Sequence, residues 1–433
     1  MSSVTICFII FLFVILGYIF YEQTGIPMGV TAMAALLLLV LTGCIDTQTA
    51  LSGFSGANTI MMISMFIVAA GFGRTQMVHK VTSLINKLGG GSFRKTLTGF
   101  IIITCILSQF IPSPLISFTV IYPMVVAMCN EMGVSPSKAI FPVGFTAIST
   151  CGVFPVGAGA IEFARANGIL ESFGSTYRFE MLDFFKARLP VLMLILIYSI
   201  FIAPRLAPDK PPVPLGEAKS QGARGQQAPL SRVREVIGYA TFSIVTLCLM
   251  ISSILPLENW QIAMMGALIM VGTGVLTPKE MQNALPVRII CMYIGALALG
   301  SGLAATGAGD IIGRLLSNAL NNTTNSYVIG LLFFLVPFCV TQVMQNQSVA
   351  GIFYPIAIMG CQALNCNPMG PIILVQAASL TAYMTPMATG TVPLMMGAGG
   401  YDIKSLLKQG WIPAILICAV SVFWTMTLFP AYS

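Results

Sequence analysis

Apolar runs of about the length that spans a bilayer, roughly 20 residues, follow one another along almost the whole chain. They lie at about 4–20, 27–43, 58–73, 97–128, 138–166 and 188–204, then at about 236–255, 259–276, 288–304, 328–361, 371–395 and 411–429. Only helices and closed barrels satisfy their own backbone in hydrocarbon, and runs this continuously apolar suit helices. Charge agrees: 8% of the residues are charged, where a soluble domain carries about 25%. The expected fold is an all-α polytopic membrane protein, with the lipid bilayer as its surroundings.

The other global features narrow the class. The net charge of +7 gathers in 79–95 and 205–234, which is loop charge governed by topology rather than a nucleic-acid footprint. No nucleic-acid partner is expected. The eleven cysteines are scattered singly, without a CxxC, and read as small packing residues. The single histidine, His79, has no partner for a metal site or a triad. The run 4–20 lacks a charged leader and a small-x-small cleavage site, so it reads as the first span.

The two series of runs mirror each other. "ALLLLVLTG" (35–43) resembles "ALIMVGTG" (267–274), "AAGFGRTQMV" (69–78) answers "ALGSGLAATGAG" (298–309), and "YRFEMLDFFKARLP" (177–190) answers "YDIKSLLKQGWIP" (401–413). Three matches in the same order predict an internal duplication, a first transmembrane repeat over 1–204 and a second over 236–433. Between them, the Pro-, Gly-, Gln- and charge-rich stretch 205–235 reads as a linker. Duplicated halves point to a transporter.

Two runs are too long for one helix. As straight helices, 99–129 and 327–361 would measure about 45–50 Å against about 30 Å of hydrocarbon. Each is interrupted at its centre, the first by Pro112 and Pro114, the second by the polar "TQVMQNQS". Each therefore reads as a re-entrant hairpin, its tip buried in protein or lining a cavity. Five spans per half remain, an odd number, so the second half is expected to be inverted. Lys80, Lys87, Arg94, Lys95 and the basic linker then share the cytoplasmic side, with both termini outside. The stretches 74–90 and 310–320 have the spacing of helices lying in the interface.

After each hairpin comes a run broken by small polar residues, "STCGVFPVGAG" (149–159) and "TPMATGTVP" (385–393). Pro155, Pro386 and the glycines make these breaks in helices, whose ends favour anions at their amides and sodium at their carbonyls. No clustered carboxylate, Cys–His or Ser–His–Asp set lies in the apolar runs, so the chemistry is binding without catalysis. Glu162 and Arg165, three residues apart on one face, read as a helix end reaching for the interface. The alternative is that Arg165 meets an anionic substrate.

At these residues the chain resembles the divalent anion/sodium symporter family, within the wider ion transporter superfamily. That family carries Ser-Asn-Thr at each hairpin tip, with a proline nine residues after the asparagine. Counting back nine from Pro355 reaches Asn346; counting back nine from Pro123 reaches Pro114, after Ser113 and before Leu115. The frame is kept in both halves and the motif in part. The resemblance implies that the substrate is gripped by Ser113, Pro114, Gln345, Asn346, Gln347 and Ser348, with Thr389 and Gly390 of the second break. It implies sodium sites at Ser113, Ser149, Thr150, Gly152 and Gly157 in the first half, and at Asn346, Thr385 and Thr391 in the second. It further implies a homodimer and an elevator-type movement.

The expected function is secondary active transport of a small anion, a dicarboxylate or related species, coupled to Na+ or H+, in the plasma (inner) membrane. No cofactor is expected, and Na+ is a candidate coupling ion. The alternative is an anion exchanger or channel of the same superfamily without sodium coupling.

Overall fold

Each apolar run folds as helix, because a backbone in hydrocarbon must find its hydrogen bonds within its own segment. The computed structural model describes residues 2–20, 24–76, 92–213, 230–251, 255–308, 311, 325–386 and 388–432, and no strand occurs among them. Three expectations reach beyond these residues: His79, most of the two interfacial helices, and the central part of the linker.

The first half begins with α1 (Ser3–Ile19), α2 (Met28–Leu41), α3 (Thr47–Ser55) and α4 (Ala57–Gly73). The hairpin helices follow, α5 (Phe93–Phe110) and α6 (Pro114–Glu131). A broken helix comes next, α7 (Ile140–Ser149) and α8 (Ala158–Ser172), then the long α9 (Asp183–Leu206). The second half repeats this order with α10 (Arg232–Met250), α11 (Asn259–Gly272), α12 (Pro278–Ala284) and α13 (Val287–Thr306). Its hairpin helices are α14 (Ser326–Thr341) and α15 (Asn346–Ala363), its broken helix α16 (Met369–Ser379) and α17 (Thr391–Gly399), and its last span α18 (Ile403–Leu428).

Polar residues set where these helices start. Asp46 caps α3 by accepting from Thr49 N at 2.7 Å, Asp402 caps α18 by accepting from Ser405 N at 2.8 Å, and Thr277 with Glu280 forms a capping box on α12. Pro114 behaves differently from its sequence expectation: it is the first residue of α6, where a missing N–H costs nothing, and does not itself break a helix. The break is the three-residue link before it. Pro123 and Pro355 each fall inside an 18-residue helix, nine residues after its first.

Between the two halves, α2 packs on α13 and α4 on α11. Small residues allow these crossings: a Cβ on Gly295 would lie 2.7 Å from Ala32 O, and one on Gly266 would lie 3.1 Å from Val68 Cγ2. Two large apolar cores result, with a small third cluster of Cys105, Val153 and Leu192. Leu39, Met62, Met270 and Leu303 share one with Ile161 of α8 and Tyr354 and Ile358 of α15. The second holds Phe100, Phe118, Phe141, Phe145, Tyr383 and Tyr401. It is tied by the Tyr401 hydroxyl, which accepts from Phe141 N at 3.0 Å and donates to Ser137 O.

The outer surface is apolar as well. Leu37, Leu247, Leu268, Ile415 and Phe423 are exposed, as lipid contact requires. Among the described residues six helical segments are long and apolar enough to cross a bilayer, and further apolar helices of 10–17 residues accompany them. The chain is an integral membrane protein.

Candidate functional site

The two hairpins and the two broken helices interlock. In the first half, the break runs from Thr150 to Gly157, and Gln109 at the end of α5 organises it. Gln109 Nε2 donates to Cys105 O (2.7 Å) and Thr150 O (2.9 Å), while its Oε1 accepts from Val153 N and Phe154 N, both at 3.0 Å. Gly152 N adds a bond to Ser108 O at 3.2 Å. Gly157 has φ +47°, and a Cβ there would lie 2.6 Å from Phe110 O. Glycine is needed at this position for both conformation and space.

The second half repeats the device. Gln342, just past α14, donates through Nε2 to Phe338 O (3.2 Å) and Thr381 O (2.9 Å). Thr341 Oγ1 donates to Ser379 O at 3.2 Å, and Thr385 Oγ1 donates to Gln342 O. This break opens at Leu380, five residues before the stretch marked in the sequence. The two breaks meet where Ser149 Oγ donates to Leu380 O at 3.4 Å.

At this meeting point lies a cavity of about 60 Å³. Its lining includes Pro112 of the first tip, Asn346 and Gln347 of the second, Cys151 and Gly152 of the first break, and Ser379 and Leu380 of the second. Glu162, Arg165 and Gln376 complete its polar wall.

Glu162 and Arg165 do not reach for an interface. Both are buried, with Arg165 Nη1 at 3.6 Å from Glu162 Oε2. Arg165 also donates to Gln347 Oε1 at 2.6 Å and sits 5.1 Å from the centre of the Tyr354 ring, while the Tyr354 hydroxyl donates to Glu162 Oε1. Burial of a charge demands such partners. A guanidinium has five donors, so this arrangement leaves capacity for an incoming carboxylate. Across the cavity, Asn346 Oδ1 and Gln376 Oε1 are buried without a donor, as is Gln342 Oε1 behind them. Unpaired oxygens suit a hard cation. Among the described residues no group of three His, Cys, Asp or Glu could hold a metal.

The expected site residues divide accordingly. Asn346, Gln347 and Gly152 line the cavity. Ser113 is instead the cap of α6, its Oγ accepting from Ile116 N at 3.4 Å, and Pro114 is that helix's first residue. Gln345 precedes α15, and Ser348 Oγ donates to Met28 Sδ at 2.7 Å. Thr389 and Thr391 bond each other at 3.4 Å beside Gly390, where a Cβ would lie 3.2 Å from Leu115 Cδ2. Ser149 bridges the breaks, the Thr150 carbonyl is bound by Gln109, and Thr385 is bound to Gln342.

Gln109, Gln342, Gln376, Arg188 and Tyr354 were not singled out by sequence. A signal existed for some of them. A Ser/Thr–Gln pair closes the first arm of both hairpins, "SQ" at 108–109 and "TQ" at 341–342, and Arg188 is a charge at the head of an apolar run.

Comparisons with known proteins bear on the family and the fold. A sodium-dependent dicarboxylate transporter, SdcS of Staphylococcus aureus, is 21% identical over 440 residues, covering 93% of this chain and 83% of SdcS. An uncharacterized transporter of Haemophilus influenzae is 21% identical over 424 residues, 93% and 88% of the two chains. One from Synechocystis is 24% identical over 208 residues, and that match spans 33% of the relative's length. Among solved structures, Neisseria gonorrhoeae MtrF, described as illuminating a class of antimetabolite efflux pumps, has TM-score 0.60 at 12% identity, covering 90% of this chain and 84% of its own. The Alcanivorax borkumensis YdaH transporter, described as having an unusual topology, has TM-score 0.58 at 12% identity, covering 88% and 87%. These likenesses bear on fold alone. The sequence model of the citrate transporters matches residues 6–378, a stretch that holds both hairpins, the first broken helix and every residue named in the cavity wall except Ser379 and Leu380. The chain is a transporter rather than an enzyme, and it belongs to the citrate transporter family.

Proposed function

We propose that the chain carries a small anion with two or three carboxylates across the plasma (inner) membrane, coupled to Na+ or H+. The observation that carries this reading is one cavity lined by both hairpin tips and both helix breaks, with Arg165 on one wall and the donorless Asn346 Oδ1 on another. A carboxylate would be met by Arg165 and by the amides of Asn346 and Gln347, and a sodium ion, carried as co-substrate, by Asn346, Gln376 and the carbonyls of the second break. The kinship with a sodium-dependent dicarboxylate transporter supports both assignments.

The two halves act, in this reading, as inverted repeats, and the hairpins enter the membrane from opposite sides. The repeated order of elements supports it. In an elevator movement, α1–α4 and α10–α13 would be the fixed part. The asymmetry of the packing fits one end of the travel: α8 packs against α4 and α13, whereas α17 packs against α6 and α7. A homodimer, its subunits joined through the fixed parts, would anchor the movement.

The test is uptake of radiolabelled citrate and succinate into proteoliposomes under an imposed Na+ gradient, a pH gradient, or neither. Uptake that follows one gradient supports the reading. Equal uptake in all three conditions, with acceleration by internal anion, favours the exchanger. Conductance far above transporter turnover favours the channel.

A further inference from the structure

Arg188 stands apart from the substrate cavity. It lies on α9, is 2% exposed, and has no carboxylate within ion-pair distance among the described residues. Its guanidinium instead reaches the end of α7, donating through Nη1 to Cys151 O (3.0 Å) and Gly152 O (3.3 Å) and through Nη2 to Ser149 O (3.2 Å). A helix C-terminus presents unpaired carbonyls and the negative end of its dipole. Three converging carbonyls at such an end form the oxygen set that a sodium ion would use, and two of them belong to Ser149 and Gly152.

The second half is arranged differently. Among the described residues no charged side chain bonds the carbonyls of Ser379, Leu380 or Thr381; their partners are Thr341, Ser149 and Gln342, all neutral. Beside them the oxygens of Gln342, Asn346 and Gln376 have no donor. Both breaks therefore have their carbonyls engaged, the first by a fixed positive charge and the second by neutral groups, and the orphaned amide oxygens of Gln342, Asn346 and Gln376 lie beside the second. Pro114 fits this division, because it stands in the first tip where Asn346 stands in the second and offers neither an amide donor nor a side-chain oxygen.

We propose that Arg188 is a resident cation that takes the place of a mobile sodium ion in the first break, so that any exchangeable sodium binds only in the second. The proposal deepens the transport reading and rests on it for the role of the second break. The fixed charge would hold α7, the break and α9 together in every state of the cycle, where a mobile ion would have to bind and leave. Coupling would then use one fewer sodium ion than a transporter with two ion sites.

The test is equilibrium binding of radioactive sodium to the purified full-length protein, with choline chloride keeping ionic strength constant. Wild type is expected to bind one sodium with a Hill coefficient near 1. Arg188→Ala, which frees the three carbonyls, is expected to bind one more sodium than wild type, and Arg188→Lys to return to the wild-type count. Asn346→Ala is expected to abolish sodium binding altogether. It keeps the test decisive if Arg188→Ala does not fold, because residual binding in that variant would reveal a mobile ion in the first break. Two sodium ions on wild type, or a folded Arg188→Ala with an unchanged count, would overturn the proposal. Wild type binding no sodium while Arg188→Ala gains one would uphold it and refute the sodium reading of the second break.

Discussion

Replacing Gln109 by leucine keeps the volume of the side chain and removes all its polar atoms. Two carbonyls, of Cys105 and Thr150, lose a donor, and the N–H groups of Val153 and Phe154 lose their acceptor inside the protein. A stranded buried N–H costs about 1–3 kcal/mol, so the two together set the loss at about 3–5 kcal/mol once the weaker carbonyl contributions are included. Gln342→Leu is the internal control. It removes bonds to Phe338 O and Thr381 O and strands no N–H; under-satisfied carbonyls are better tolerated, and the expected loss is about 1–2 kcal/mol. For a chain of 433 residues, entropy scaling converts each kcal/mol into a drop in melting temperature of about 1 °C. Thermal unfolding of the purified variants in detergent should therefore show Gln109→Leu falling about 3–5 °C and Gln342→Leu about 1–2 °C. If Gln342→Leu falls as far as Gln109→Leu, or neither moves, hydrogen bonding by the paired glutamines is not what holds the breaks.

Gly157→Ala combines an unfavourable φ with a clash against the Phe110 and Gln109 carbonyls; backbone strain and overpacking together should cost about 2–5 kcal/mol, read as a lower melting temperature. Tyr354→Phe removes the hydroxyl that donates to Glu162. The lost charge-assisted bond should cost about 1.5–3 kcal/mol and weaken anion binding through a displaced Arg165, whereas a drop in melting temperature with unchanged anion affinity would confine the bond to stability. At the surface, burial pushes the Glu280 carboxyl up, but bonds from Thr277 and the Arg74 guanidinium at 2.8 Å outweigh it and hold the group below its ordinary value. Its contribution, about 1 kcal/mol for such a pair, is fully present above the unfolded carboxylate value of about 4.3 and is lost as pH falls through the lower folded value. Melting curves of Glu280→Gln should show the acid-side decline of wild type reduced by that amount.

Much of the fold was legible because hydrocarbon leaves a chain few choices. Runs of apolar residues had to be helices, and Pro112 and the residues around Asn346 had to interrupt them. The glycines and Pro155 likewise announced the first break, since Gly152 and Gly157 both need positive φ. What stayed hidden depended on partners distant in sequence. Gln109 acts on residues 41–45 positions away and Arg188 on residues 36–39 away, and no local pattern encodes such pairings. Glu162 and Arg165 were visible as a pair, but their burial depends on Tyr354 and Gln347, nearly 200 residues on. The early start of the second break was missed because Leu380 and Thr381 carry no helix-breaking chemistry; side-chain bonds from Gln342 and Thr341 occupy its carbonyls instead.

The cavity where the two hairpin tips meet the two helix breaks is the proposed seat of the transported anion. Its most direct test is the dissociation constant of citrate, or of whichever carboxylate the uptake assay selects, on wild type, Asn346→Ala and Arg165→Met, each first shown to insert and to remain folded in detergent. Both variants should lose at least tenfold in affinity, about 1.4 kcal/mol or more. Unchanged affinity in both would place the anion elsewhere in the molecule.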